Sequence, residues 1–202
     1  SHQPIIPTDV GRRILDQATR ILIQSEQIRE VVREEQESLS GSISLGILPT
    51  IAPYLLPRVL PRLEKELPHL RITFVELKTS ECLEALRLGS IQMAIVASRA
   101  EADYLVDHPL YYEEFMGYVP RGSDLFAEEH IRTSDVGKKH LWLLDEGHCF
   151  RDQLVKFCHL RFDPHHPHSY SRGSLETFMH FVEQGNGVTF IPELAVEQLE
   201  AR

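Results

Sequence analysis

Cys149 lies in the run Gly147-His148-Cys149-Phe150-Arg151-Asp152, and Cys158 follows nine positions later in a chain that has three cysteines in all. Sulfur attacks an electrophile as thiolate. Cationic or N–H-donating neighbours favour that form, so a histidine directly before Cys149 and an arginine two residues after it point to a reactive thiol. Cys158 offers a resolving partner. The stretch Arg151–Phe157 reads as helix, and nine residues of α-helix set the two Cα atoms roughly 13 Å apart. A disulfide needs about 4.4–6.8 Å, so a Cys149–Cys158 bond requires the intervening segment to unwind, and oxidation becomes a conformational event. The alternative for the same residues is a small buried hydrophobe. Asp145 and Glu146 lean that way, because negative charge nearby opposes a thiolate.

The elements around these cysteines follow from periodicity. Asp9 to about Leu39 reads as one long helix whose Ile14, Ala18, Ile21, Ser25, Ile28, Val32, Glu35 and Leu39 recur at alternating four- and three-residue steps, a heptad seam fit for self-dimerisation. The alternative is an amphipathic helix packed on its own domain. Ser40-Gly41-Ser42 ends it, and residues 43–48 alternate as a strand. A helix over Pro53–Leu67, a strand over Leu70–Leu77, a helix over Ser80–Leu88 and a strand over Gln92–Val96 continue the pattern. That order predicts an α/β fold with a mostly parallel, doubly wound sheet, in which ligands gather beyond the strands' carboxyl ends. Thr50 and Thr79 stand at two such ends, where hydroxyls can donate and accept. N-capping by Thr79 or Ser80, and a turn braced by Thr50, are the structural alternatives.

A second α/β lobe is expected from about residue 99, with strands near Tyr104–Tyr111, Phe115–Val119, Leu141–Leu144 and Ser169–Arg172 and a helix after Cys149. Gly122 to Gly137 reads as a polar, loop-rich insertion. A helix over Ser174–Gln184 stops at Gly185-Asn186-Gly187, and a strand over Val188–Pro192 follows. That Gly-x-Gly stands between helix and strand, the reverse of the dinucleotide fingerprint, so Gly185 reads as a helix cap. The divisions are then a linker helix over 1–40, a first lobe over 41–98, a second over 99–192 and an end segment over 193–202.

Composition bounds the partners. At 202 residues and 42% hydrophobic the chain can bury a core, and a net charge of −9 with no clustered Lys and Arg makes it a poor nucleic-acid binder by itself. No stretch approaches the eighteen or so apolar residues of a membrane span and no leader opens the chain, so a cytoplasmic protein is expected. Three cysteines are not a secreted scaffold, and Cys82 among leucines reads as core. His159, His165, His166 and His168 crowd near Cys158, yet no ligand spacing is present and Pro164 and Pro167 break the cluster, so no metal and no cofactor are expected.

Ser42-Ile43-Ser44-Leu45-Gly46-Ile47-Leu48-Pro49-Thr50 with Pro53-Tyr54-Leu55-Leu56-Pro57 resembles the first strand and helix of the LysR-type transcriptional regulators. Gly185-Asn186-Gly187-Val188-Thr189-Phe190-Ile191-Pro192 is similar to their closing motif. The run from Leu144 to Gln153, with its spacing to Cys158, resembles the peroxide-sensing branch of that family. The resemblance covers nearly the whole chain. It implies two Rossmann-like lobes of the periplasmic-binding-protein (type 2) kind, joined by the first helix to a DNA-binding domain that is not in this chain, and a closing tail that continues past residue 202.

It further implies that hydrogen peroxide is the signal, that Cys149 is oxidised to a sulfenic acid and resolved by Cys158 into a disulfide, and that Thr50, Thr79, Gly147, His148 and Arg151 line the peroxide site. Arg151, His148 and the hydroxyls suit that task, since donors must polarise the leaving oxygen while stabilising the thiolate. Asp152 orients Arg151 or forms a surface salt bridge. The implied partners are a second copy of the chain, in a dimer or tetramer, promoter DNA through the absent domain, and a dithiol reductant, with no membrane. Such a chain is a regulator and not an enzyme. Two other classes fit the same residues: a small-molecule effector-binding module with incidental cysteines, and a thiol peroxidase.

Overall fold

The computed structural model describes residues 7–34, 40–98, 102–136, 140–157, 170 and 173–200. Two compact units share the chain, one of Ser1–Ile47 with Leu60–Ile95 and the other of Leu48–Val59 with Val96–Arg202. The second unit therefore takes in Leu48–Val59, which its position in the sequence groups with the first lobe.

The first unit holds helix α1 (Asp9–Glu34), strand β1 (Gly41–Ile47), the second half of α2 (Ala52–Glu66), β2 (Leu70–Glu76), α3 (Thr79–Leu88) and β3 (Met93–Ile95). Its sheet runs β2-β1-β3, all parallel, with Leu45 opposite Phe74 and Ile47 opposite Ile95. This is the expected strand-helix-strand winding. Gly46 lets α3 and the loop after it close on β1, because a Cβ there would stand 2.7 Å from Ile91 and 3.1 Å from the Cys82 sulfur. Cys82 is fully buried.

Thr8 opens α1 by accepting the Gly11 N–H on its hydroxyl at 3.1 Å. The seam residues Ile14 and Ile21 are about two-thirds exposed, whereas Ile23, off the seam, packs at Gly89. The seam is thus not spent on the chain's own first unit over residues 14–25. The side chains of Ile28 and Val32, and the last two seam positions, Glu35 and Leu39, lie outside the described residues.

The second unit contains the first half of α2, β4 (Phe115–Tyr118), a 3-10 turn over Asp124–Ala127, and helices α4 (Thr133–Val136), α5 (Cys149–Phe157) and α6 (Leu175–Glu183). Strand β5 (Thr189–Pro192) and helix α7 (Glu193–Glu200) complete it. β4 and β5 pair antiparallel, Phe115 opposite Pro192, and Leu141 adds a parallel bridge to Val188. Around them Phe178, Leu154, Val182, Val188, Ile191 and Trp142 form one apolar core. α7 belongs to it through Ala195, which is 1% exposed, so residues 193–200 are a packed helix and not a loose end.

The expected strands of this unit do not all form. No strand forms over Tyr104–Tyr111: Asp107, His108 and Pro109 interrupt it, and Tyr104, Val106 and Leu110 stay exposed. Proline withholds the ladder N–H. The run 141–144 is reduced to its single bridge, and the strand expected near Ser169–Arg172 lies, but for Tyr170, outside the described residues. The insertion after Gly122 is more ordered than its polarity suggests, since Leu125 and Val136 anchor its two short helical turns in the interior.

α2 carries prolines at 53, 57 and 61. Proline 53 is harmless in the first turn, but Pro57 lacks the N–H that would bond the carbonyl of Pro53. That carbonyl instead accepts the Gln198 amide of α7 at 3.0 Å. Tyr54 bonds Glu176 at 3.1 Å, and Arg58 pairs with Glu197 and donates to the Leu194 carbonyl. The start of α2 is thereby fastened to α6 and α7.

Candidate functional site

The site starts from the turn before α5. Gly147 has φ +87°, a left-handed conformation that glycine adopts without penalty. The chain reverses there so that Cys149 becomes the first residue of the helix and His148 its capping position, with the Asp152 N–H bonded to the His148 carbonyl at 3.1 Å. Helix initiation thus places the sulfur in the first turn, where the positive end of the helix dipole favours an anion. Phe150 and Leu154, four apart, turn inward and are 7% and 0% exposed. They seat α5 on the core, with the Phe150 ring edge-on to Phe115 at 5.0 Å between centroids.

Cys149 itself is 8% exposed and carries a free thiol. Arg151 is three-quarters buried at its side chain and meets two carboxylates loosely, Glu146 at 3.8 Å and Asp152 at 3.6 Å. Neither distance is a hydrogen bond. Its guanidinium is therefore held near the helix start without its donors being consumed by these acids, and Asp152 acts on it as a neighbouring charge.

Thr50 is 5% exposed in the turn that opens α2, where the Ile51 and Ala52 N–H groups both bond the Leu48 carbonyl at 2.9 Å. Tyr54, one turn further, shares the apolar core with Phe150 and Leu154. Thr50, Gly147, His148, Cys149, Arg151 and Asp152 consequently belong to one compact unit. Thr79 belongs to the other. It is the first residue of α3 and does not cap it: the capping position is Lys78, whose N–H is taken by Glu81 at 2.7 Å. The capping alternative for Thr79 and Ser80 is excluded by that placement. The Thr79 hydroxyl is buried with no hydrogen-bond partner among the described residues, an arrangement that costs stability unless something else satisfies it.

Cys158 and the histidines from 159 to 168 lie outside the described residues. Among the described residues no group of three or more His, Cys, Asp or Glu side chains is placed to hold a metal ion. No described helix is long and apolar enough to cross a membrane.

The closing motif is a structural device. The Gly185 N–H bonds Val182 at 2.9 Å and the Asn186 N–H bonds Phe181 at 3.0 Å, which is the Schellman closure of α6 with Gly185 left-handed at φ +81°. The loop then receives the Trp142 indole on the Asn186 carbonyl at 2.7 Å. Sequence inspection gives no hint of that bond, of Tyr54 to Glu176, or of Gln153 to the Ala97 carbonyl at 2.8 Å. All three join residues more than forty positions apart.

Residues 36–202 match the LysR substrate binding domain, and the chain belongs to that family, an α/β two-lobe fold of the periplasmic-binding-protein kind. Within it the chain is similar to OxyR. The crystal structure of OxyR from Porphyromonas gingivalis is 55% identical, with a TM-score of 0.72 over 79% of this chain and 72% of that one. A full-length OxyR variant from Pseudomonas aeruginosa is 31% identical, with a TM-score of 0.74 over 97% of this chain and 65% of that one. The Escherichia coli K12 DNA-binding transcriptional dual regulator OxyR is 30% identical over 192 residues, 95% of this chain and 63% of that protein. The chain spans 65% of the length of a curated relative from Dickeya chrysanthemi, a hydrogen peroxide-inducible genes activator, at 31% identity.

Proposed function

We propose that this chain is the redox-sensing regulatory domain of a hydrogen-peroxide-responsive LysR-type transcription factor. The observation that carries the proposal is the setting of Cys149, a buried thiol in the first turn of α5 with His148 directly before it and Arg151 two residues after it in the sequence, in a chain similar to OxyR proteins. The Cys149 thiolate attacks one peroxide oxygen, the O–O bond breaks, and the other oxygen leaves as water after taking a proton. Cys149 is then a sulfenic acid. The Cys158 thiolate attacks that sulfur, a second water leaves, and a disulfide remains, so two thiols and one peroxide give one disulfide and two waters.

In this scheme Arg151, His148 and the Thr50 hydroxyl polarise the leaving oxygen, Gly147 permits the turn, and Asp152 steadies Arg151. The event is stoichiometric, which suits a regulator and not an enzyme. Promoter DNA is reached through a part of the protein outside this chain, α1 being the linker and its exposed seam the contact with a second copy. A dithiol reductant resets the switch in the cytoplasm.

Non-reducing peptide mapping after one equivalent of hydrogen peroxide tests this. A linked pair of peptides bearing Cys149 and Cys158 is expected from the parent and none from Cys149→Ser. A Cys149→Ser chain that loses thiols as the parent does refutes the sensing role. Continuous peroxide turnover with a dithiol would make the chain a peroxidase, and strong thermal stabilisation by an organic anion without a thiol response would make it an effector-binding module.

A further inference from the structure

We propose that Gln153 is a positioning residue, tying the helix that carries Cys149 to the connector at Ala97 within the same compact unit, and that release of this tie passes the oxidation signal to that connector. The inference rests on the redox function proposed above and adds the route by which it is regulated.

Gln153 lies in the middle of α5 and donates its amide N–H to the Ala97 carbonyl at 2.8 Å. Ala97 stands two residues beyond Ile95, the end of β3, which is fixed in register opposite Ile47. Ala97 and α5 belong to the same compact unit, so the bond fixes the connector within that unit. Next to Gln153 in the helix, Leu154 is wholly buried. The core therefore sets the rotation of α5, and that rotation aims the amide at the connector.

Condensation of a Cys149 sulfenic acid with the Cys158 thiol forms the S–S bond and expels water, and it requires the two Cα atoms to come within about 7 Å, whereas α5 (Cys149–Phe157) sets its end Cα atoms about 12 Å apart and Cys158 is one step of about 3.8 Å further along the chain. α5 cannot keep its turns through that change. Gln153 sits between the two cysteines, so its hydrogen bond to Ala97 is lost as the helix unwinds, and residues 96–98 are freed at one end. Before closure the same bond stabilises the reduced arrangement and slows the change.

Gln153→Glu keeps the shape and removes the donor, leaving a carboxylate facing a carbonyl. Because Ala97 is exposed and water competes for its carbonyl, the expected acceleration of disulfide closure is modest, about two- to five-fold, the range of one ordinary hydrogen bond. The rate of the first oxidation, read by trapping the sulfenic acid with dimedone, is expected to be unchanged. Amide exchange at residues 96–98 should rise on oxidation of the parent and be raised already in reduced Gln153→Glu. Gln153→Ala, which removes the amide without adding charge, should accelerate closure as well. Equal closure rates in the parent and both variants, or no change in exchange at 96–98 on oxidation, overturn the tie. A parent that forms no Cys149–Cys158 peptide overturns the underlying redox function instead.

Discussion

Leu154→Ala separates two consequences of burying a redox helix. The side chain is 0% exposed and lies in the core with Phe178, Val182 and Trp142. Truncating such a leucine costs about 2–5 kcal/mol through lost transfer free energy and the cavity left behind. If disulfide closure unwinds α5, Leu154 has left the core in the oxidised form, and the truncation destabilises the reduced form alone. The oxidised state then becomes relatively easier to reach and harder to reduce. For a two-electron couple about 30 mV corresponds to 1.4 kcal/mol, so the reduction potential should fall by roughly 40–110 mV. Equilibration in glutathione or dithiothreitol buffers of graded ratio, read by thiol labelling, measures the potential, and a thermal melt of the reduced protein confirms the loss of stability. A lowered melting temperature with an unchanged potential refutes the idea that α5 abandons the core on oxidation.

Other outcomes follow from particular residues. Burial pushes the Glu113 carboxyl above the usual glutamate value of 4.5, against a lowering by the Leu194 N–H, while nearby Glu193 adds to the rise. Its folded pKa exceeds the unfolded one, so its contribution is fully present below pH 4.5 and is lost as pH rises through the folded value. Thermal melts across that window should show the parent losing stability relative to Glu113→Gln as pH rises, and parallel profiles would contradict the assignment. Gly187→Ala adds a Cβ 2.5 Å from the His140 carbonyl at φ +77°, and a loss of about 1–3 kcal/mol is expected. Calorimetry gives the loss, and a red-shifted emission from Trp142, the lone tryptophan, locates it. A melt and spectrum like the parent's would show that this loop yields freely.

What could be foreseen from the residues alone was local. The helix stop at Gly185 uses bonds three to five residues long, and the β1-α2-β2-α3-β3 succession follows from alternating periodicities. The turn and helix start over Gly147 to Asp152 were legible for the same reason: the glycine, the cysteine and the helix that starts there are consecutive. Thr79 was ambiguous because a hydroxyl at a helix start suits both a cap and a pocket, and only the backbone placement of Lys78 removed the cap.

The tertiary structure decided what depends on distant partners. Whether Tyr104–Tyr111 becomes a strand turns on a pairing edge and not on its β-prone side chains, and no strand forms there. The antiparallel union of β4 with β5, the loan of the Pro53 carbonyl to Gln198 and the tie from Gln153 to Ala97 join residues between 56 and 145 positions apart. Periodicity says which face of an element is apolar, but not which other element will meet it. The sequence alone determined that a helix would start near Cys149, and packing determined what that helix holds in place.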